Sequence, residues 1–213
     1  MKGIIFDLDG VICSTDQYHY QAWKTLADEL EIYFDETINN RLRGVSRMES
    51  LEIILERAKK VYTEEEKQAF AEKKNNIYKE LLKQMTTADL CEEVKNTLDE
   101  LRGSGYKLAI GSSSKNTKQI LKQIGLEGYF DVIADGTDIK NSKPDPEVFL
   151  LAAERLKFAP SECLVVEDAK AGIEAATRGG FKSAGIGEAA ESDTVTYPIE
   201  RLADLLLIVD ITE

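Results

Sequence analysis

Gly3-Ile4-Ile5-Phe6-Asp7-Leu8-Asp9-Gly10-Val11-Ile12 sets an apolar run of strand length against two carboxylates spaced i, i+2 and then a glycine. Alternate side chains of an extended strand share a face, so Asp7 and Asp9 are expected to project together from the strand's C-terminal end. Gly10 lets the backbone turn sharply there. Two acids on one strand edge repel each other unless a positive charge lies between them, and a hard divalent cation such as Mg2+ suits oxygen ligands. Alone, the pair also reads as a solvated strand end. The rest of the chain decides between the two.

Downstream, residues 15–30 read as a helix, with Trp23, Leu26, Ala27 and Leu30 at helical spacing. A second helix carries Met48, Leu51, Ile54, Leu55 and Ala58 on one face. A third starts at a capping box, Thr63 to Glu66, and runs through Phe70, Ile77, Leu81 and Leu82. Nothing strand-like interrupts residues 14–86, so this block is expected to be a helical domain. Beyond it strands and helices alternate. Apolar runs at 106–110, 131–134, 163–166, 181–186 and 205–209 read as strands, separated by helices at 94–102, 117–124, 147–156 and 171–178. That order predicts a doubly wound, Rossmann-like parallel sheet covered on both faces, built from residues 1–13 and 87–213.

Composition narrows the function. At 213 residues with 43% hydrophobic content, the chain can bury a sizeable core. A formal charge of -12 argues against nucleic acid or an anionic membrane as partner. Cys13, Cys91 and Cys163 are odd in number and lack metal-type spacing, so no disulfide framework is expected. The first apolar run is too short for a signal peptide or a membrane span, and a soluble cytoplasmic protein is the economical reading.

Open parallel sheets bind ligands beyond the C-terminal ends of their strands. At those ends stand Asp7 and Asp9, then Ser112-Ser113-Ser114, then Glu167-Asp168, with Lys143-Pro144 after the short run at 131–134. Acids for a metal, hydroxyls for phosphate oxygens and a lysine to offset charge describe a metal-assisted phosphoryl site.

FDLDGVI (6–12), the serine triplet, KPDP (143–146) and VVEDAKAG (165–172) resemble, in order, the four motifs of the haloacid dehalogenase superfamily of phosphotransferases. The helical block after the first motif is similar to the α-helical cap of one large subgroup. Within that superfamily DQYHYQAW (16–23), LRGVSRMESLEIIL (42–55), KKNNIY (73–78) and GSSSKN (111–116) resemble the β-phosphoglucomutase family.

The resemblance implies Mg2+-dependent interconversion of β-D-glucose 1-phosphate and glucose 6-phosphate through β-glucose 1,6-bisphosphate, by a monomer whose only partner is a small phosphosugar. It makes Asp7 the nucleophile and Asp9 the general acid/base, whose backbone carbonyl also meets the metal. Asp168 and Glu167 become metal ligands, Glu167 directly or through water. Ser112 and Lys143 then bind the transferring phosphoryl group, and the Lys143-Pro144 bond is a candidate for cis geometry. Arg47, Lys115 and Asn116 are expected on the distal phosphate. Gly44, Val45 and Ser46 form a cap loop reaching the sugar, and Trp23 is cap core that borders the site. Lys74, set on the otherwise apolar face of Phe70 and Ile77, is read from that placement as a substrate contact. For His19 a hinge role and plain packing both stand. For Ser113 and Ser114, turn and capping chemistry stands beside ligand contact.

Two positions depart from the family pattern. Ser14 stands where an aspartate is often found, and Ala169 replaces a frequent serine. Neither removes a catalytic group. A sugar-phosphate phosphatase, sharing every core motif, and a non-catalytic phosphosugar-binding module remain as rival readings. A mutase needs a second phosphate site and must keep its aspartyl phosphate from water, which Arg47, Lys115 and Asn116 favour.

Overall fold

The computed structural model describes residues 1–42 and 45–211. Gly44 therefore lies outside the described residues. The chain divides into two compact units, Met1–Ser14 with Thr86–Glu213, and Thr15–Met85.

The first unit begins with β1 (Gly3–Phe6), wholly buried as a strand covered on both faces must be. Among its described residues the second unit holds four helices: α1 (Asp16–Glu29), α2 (Glu36–Asn40), α3 (Arg47–Leu55) and α4 (Glu64–Leu82). Both bonds of the Thr63–Glu66 box form at the start of α4, at 3.2 and 2.8 Å. Ser46 and Glu49 make a second capping box at α3. The short α2, capped by Asp35, has too few residues to show a helical period. Trp23, Leu26, Ile32, Phe34, Leu51 and Ile54 close this unit's own core.

The first unit resumes with α5 (Glu92–Gly103), β2 (Lys107–Gly111), α6 (Thr117–Gln123), β3 (Val132–Ala134), α7 (Glu147–Leu156), β4 (Cys163–Glu167), α8 (Lys170–Arg178), β5 (Lys182–Ile186), β6 (Tyr197–Ile199) and α9 (Leu205–Ile211). All neighbouring strands pair in parallel, in the order β3-β2-β1-β4-β5-β6. That is the doubly wound order, with its switch point beside β1.

One expected strand is absent from its place. Residues 205–209 are helical, and the last strand is Tyr197–Ile199. A strand would put Leu205, Leu207 and Val209 on one face. Instead Leu205 and Val209 are buried while Leu207 is 66% exposed, the i, i+4 pattern of a helix. The real strand holds Pro198, tolerated because β6 is the sheet edge. Among the described residues no helix is long and apolar enough to cross a membrane.

Candidate active site

Phe6 pairs with Ile110 of β2 on one side and with Val166 of β4 on the other, which sets the ends of three strands level. Asp7 follows at once, its N–H bonded to the Val166 carbonyl at 2.9 Å. Lys143 comes from the loop after β3, and its peptide bond to Pro144 is cis. The Lys143 ammonium donates to Asp7 Oδ1 and, at 2.5 Å, to Glu167 Oε1, and it lies 4.6 Å from the centre of the Phe149 ring. Burial opposes the lysine's charge, but Asp7 and Glu167 overcome it and hold its pKa above the ordinary value.

The acids outnumber this one cation. Burial raises the pKa of Asp7, and Glu167 and Asp9 add to the rise against the pull of Lys143. Burial likewise raises Asp168, reinforced by Glu167, Asp7 and Asp9. This gathering of acids is the strongest sign that a cation belongs here. Among the described residues, no three His, Cys, Asp or Glu side chains form a ready-made metal cage. Mg2+ does not require one, because it is commonly held by one or two carboxylates together with waters and substrate phosphates. The donor set fits.

Two glycines shape the acid cluster. A Cβ on Gly10, whose φ is +85°, would stand 2.0 Å from Asp168 Oδ2. A Cβ on Gly172 would meet Glu167 Cδ at the same distance. Asp168 thus closes over one glycine and Glu167 over the other. Both oxygens of Glu167 are in use, Oε1 by Lys143 and Oε2 by the Ala169 N–H at 2.8 Å. Each of these oxygens keeps a second lone pair, so Glu167 holds Lys143 and still has acceptor capacity for a cation or a water. Asp9 lies past the end of β1 in the turn, bridged to Cys13.

After β2 the serine turn folds on itself. Ser112 is buried, its N–H bonded to Ala134 O, and its hydroxyl accepts the Ser114 N–H at 3.2 Å. Ser114 Oγ accepts the Asn116 N–H. The Ser113 hydroxyl is buried with no hydrogen-bond partner among the described residues. Turn chemistry therefore belongs to Ser112 and Ser114. Lys115 is exposed and Asn116 buried at the start of α6.

The helical unit gathers the other expected residues. Lys74 is 2% exposed, 4.7 Å from the ring centres of both Trp23 and Tyr78, with its Nζ 2.7 Å from His19 Nδ1. An ammonium only donates, so Nδ1 accepts and the histidine proton sits on Nε2. Burial, then Lys74 and Arg47, hold the His19 pKa well below the usual value, so the ring is neutral. It stacks on Tyr78, whose hydroxyl donates to Thr15. Arg47 donates to Asn75 at 2.9 Å, and burial lowers its pKa. Trp23 is part of this unit's core, Ser46 caps α3, and Val45 is exposed. Thr15 and, within the 73–78 stretch, Asn75 and Tyr78 carry no site role in the sequence, since nothing in their spacing marks them as polar supports.

A parallel sheet whose switch point carries a lysine-paired aspartate, a hydroxyl turn and a surplus of acids defines the phosphoryl-transfer class of α/β proteins. The chain belongs to the haloacid dehalogenase-like hydrolase family, whose model matches residues 4–186. It is 39% identical to the β-phosphoglucomutase of Bacillus subtilis over 97% of this chain and 92% of that one. It superposes on the crystal structure of β-phosphoglucomutase from Clostridium difficile with a TM-score of 0.90 at 38% identity, covering 99% and 96% of the two chains. A phosphorylated carbohydrates phosphatase of Thermotoga maritima is 35% identical over 87% of this chain and 82% of its own.

Proposed function

We propose that the protein is an isomerase that interconverts β-D-glucose 1-phosphate and glucose 6-phosphate through β-glucose 1,6-bisphosphate. The observation that carries this reading is the similarity to β-phosphoglucomutases, which runs through the helical unit as well as the α/β unit.

Asp7 attacks phosphorus and becomes the aspartyl phosphate, while Asp9 protonates the departing sugar oxygen. With the bisphosphate as donor this half-reaction releases glucose 6-phosphate. In the other half-reaction Asp9 takes the proton from the 6-hydroxyl of an incoming β-glucose 1-phosphate as that oxygen attacks the aspartyl phosphate, which frees Asp7 and re-forms the bisphosphate. Lys143, fixed between Asp7 and Glu167, balances charge on the transferring group, and the Ser112 hydroxyl donates to it. Asp7, Asp168 and the main-chain carbonyl of Asp9 would hold Mg2+, which when bound supplies neutralisation of the phosphate oxygens. Arg47, Lys115 and Asn116 grip the distal phosphate; a guanidinium suits the task, since it binds phosphate through two parallel N–H bonds. The buried Lys74 with its neutral His19 meets the sugar. The protein works as a cytoplasmic monomer.

A split assay tests the reading, with β-glucose 1-phosphate, Mg2+ and a trace of glucose 1,6-bisphosphate. One half reads glucose 6-phosphate through a coupled dehydrogenase, the other free phosphate. Glucose 6-phosphate with little phosphate is expected. Phosphate without isomerisation would make the chain a sugar-phosphate phosphatase, the second reading, which the Thermotoga relative favours. Silence in both halves would leave a phosphosugar-binding module.

A further inference from the structure

The serine turn of the α/β unit is held from behind. Gly136, two residues past β3, donates its N–H to the Ser114 carbonyl at 3.0 Å, and Thr117 Oγ1 donates to the same oxygen. A Cβ on Gly136 would stand 2.2 Å from the Ser113 carbonyl oxygen and 2.9 Å from the carbonyl carbons of Ser113 and Ser114. These are backbone atoms, which cannot swing aside as a side chain could. Gly136 has no positive φ, so close approach alone calls for glycine here.

Its neighbours keep Gly136 in place. Asp135 is 1% exposed; its Oδ1 accepts the Thr137 N–H at 2.9 Å and the Thr137 hydroxyl at 2.5 Å, and Lys118 of α6 lies 3.7 Å from Oδ2. The Asp135 N–H donates to Asp138, which Arg155 of α7 grips with both terminal nitrogens at 2.9 and 3.0 Å. Arg155 also donates to the Ile133 carbonyl at 2.6 Å. Polar contacts thus run from α7 through Asp138 to the Asp135 main chain, and the next residue, Gly136, bonds the Ser114 carbonyl of the serine turn.

We infer that Gly136 and Asp135 are positioning residues for phosphoryl transfer: they touch no substrate, but they set where the Ser112 hydroxyl and the amides of its turn stand relative to Asp7. The inference rests on the proposed role of Ser112. Displacing a positioned group by about 1 Å costs on the order of 100-fold in rate while leaving the bulk of substrate binding intact. Substituting Gly136 should therefore act on kcat and spare KM.

The test compares full-length wild type, Gly136→Ala and Asp135→Asn in the mutase assay, with kcat, KM and melting temperature measured for each. For Gly136→Ala, kcat about 10- to 100-fold lower with KM within about threefold is expected. For Asp135→Asn, which keeps its shape but loses charge against Lys118, about fivefold or more in kcat is expected. A folded Gly136→Ala with wild-type kcat overturns the inference. So does a loss that disappears on cooling well below the melting transition, the mark of a purely structural role. Should Gly136→Ala be unfolded at every assay temperature, Asp135→Asn decides, and wild-type kcat overturns it. Failure of the functional reading looks different, because wild type itself then gives no glucose 6-phosphate. In that event the variants are compared on phosphate release or, without turnover, on orthovanadate affinity, where unchanged values overturn the inference.

Discussion

In the proposed reaction Asp7 faces opposing demands, since it must be ionised to attack phosphorus yet is buried among three other acids. Lys143 is the side chain shown bonded to it, and Glu167 steadies Lys143 from the far side. Asp7→Asn removes the nucleophile and should lower turnover by more than about a thousandfold, with an unchanged circular dichroism spectrum. Lys143→Ala leaves two buried carboxylates facing each other without their cation. Stripping one partner from a buried pair costs about 3 kcal/mol, which a shift in the urea midpoint would report. Part of that cost comes from Asp7 itself, so in an Asp7→Asn background the same Lys143 substitution should cost measurably less. An unchanged cost would mean that Lys143 matters to the fold through Glu167 and its packing on Phe149, and not through Asp7. Asp7 and Lys143 were legible in the sequence because each follows a strand and strand ends on a parallel sheet share a rim. Glu167 was legible as an acid but not as the lysine's anchor, because a side chain's second bond leaves no trace in spacing.

At the scale of elements, the alternating strands and helices were readable up to β5, and the error came at the end of the chain. A five-residue apolar run has no period of its own, and the winding that makes α9 starts upstream, where Asp204 accepts the N–H groups of Glu200 and Arg201. The glycine in the first turn of α8 carried a signal that went unused. Alanine favours a helix over glycine by about 1 kcal/mol, so Gly172→Ala would stabilise an isolated α8. Here the added carbon would lie 2.0 Å from Glu167 Cδ, and the acid has nowhere to retreat without releasing Lys143. Overpacking of this kind costs about 1–3 kcal/mol, so Gly172→Ala should lower both the melting temperature and kcat. The contact between α7 and the loop after β3 carries a pH dependence. Arg155, with help from the Asp135 N–H, lowers the Asp138 pKa to about 2 despite some burial. Because the folded value lies below the unfolded one, this stability is complete above about pH 5 and is lost as pH falls through 2. Asp138→Asn should cost about 2 kcal/mol in urea unfolding at pH 7 and almost nothing near pH 2.

For the molecule as a whole, the net charge of -12 complicates any measurement with Mg2+. A divalent ion screens diffuse self-repulsion and also fills a specific site, and both raise stability. The two effects differ in where they act. The clustered acids Asp7, Asp9 and Asp168 belong to the α/β unit, while the helical unit has a separate core and cations of its own in Arg47 and Lys74. At about ten times its dissociation constant, Mg2+ bound at these acids adds about 1.4 kcal/mol. In a chain of this length that corresponds to a rise in melting temperature of about 3–5 °C. NaCl at equal ionic strength should give a smaller rise, and Asp168→Asn should abolish the difference between the two salts. If melting resolves two transitions, only that of the α/β unit should move with Mg2+. Equal shifts from both salts, surviving Asp168→Asn, would reduce the effect to screening and take the metal away from this acid cluster.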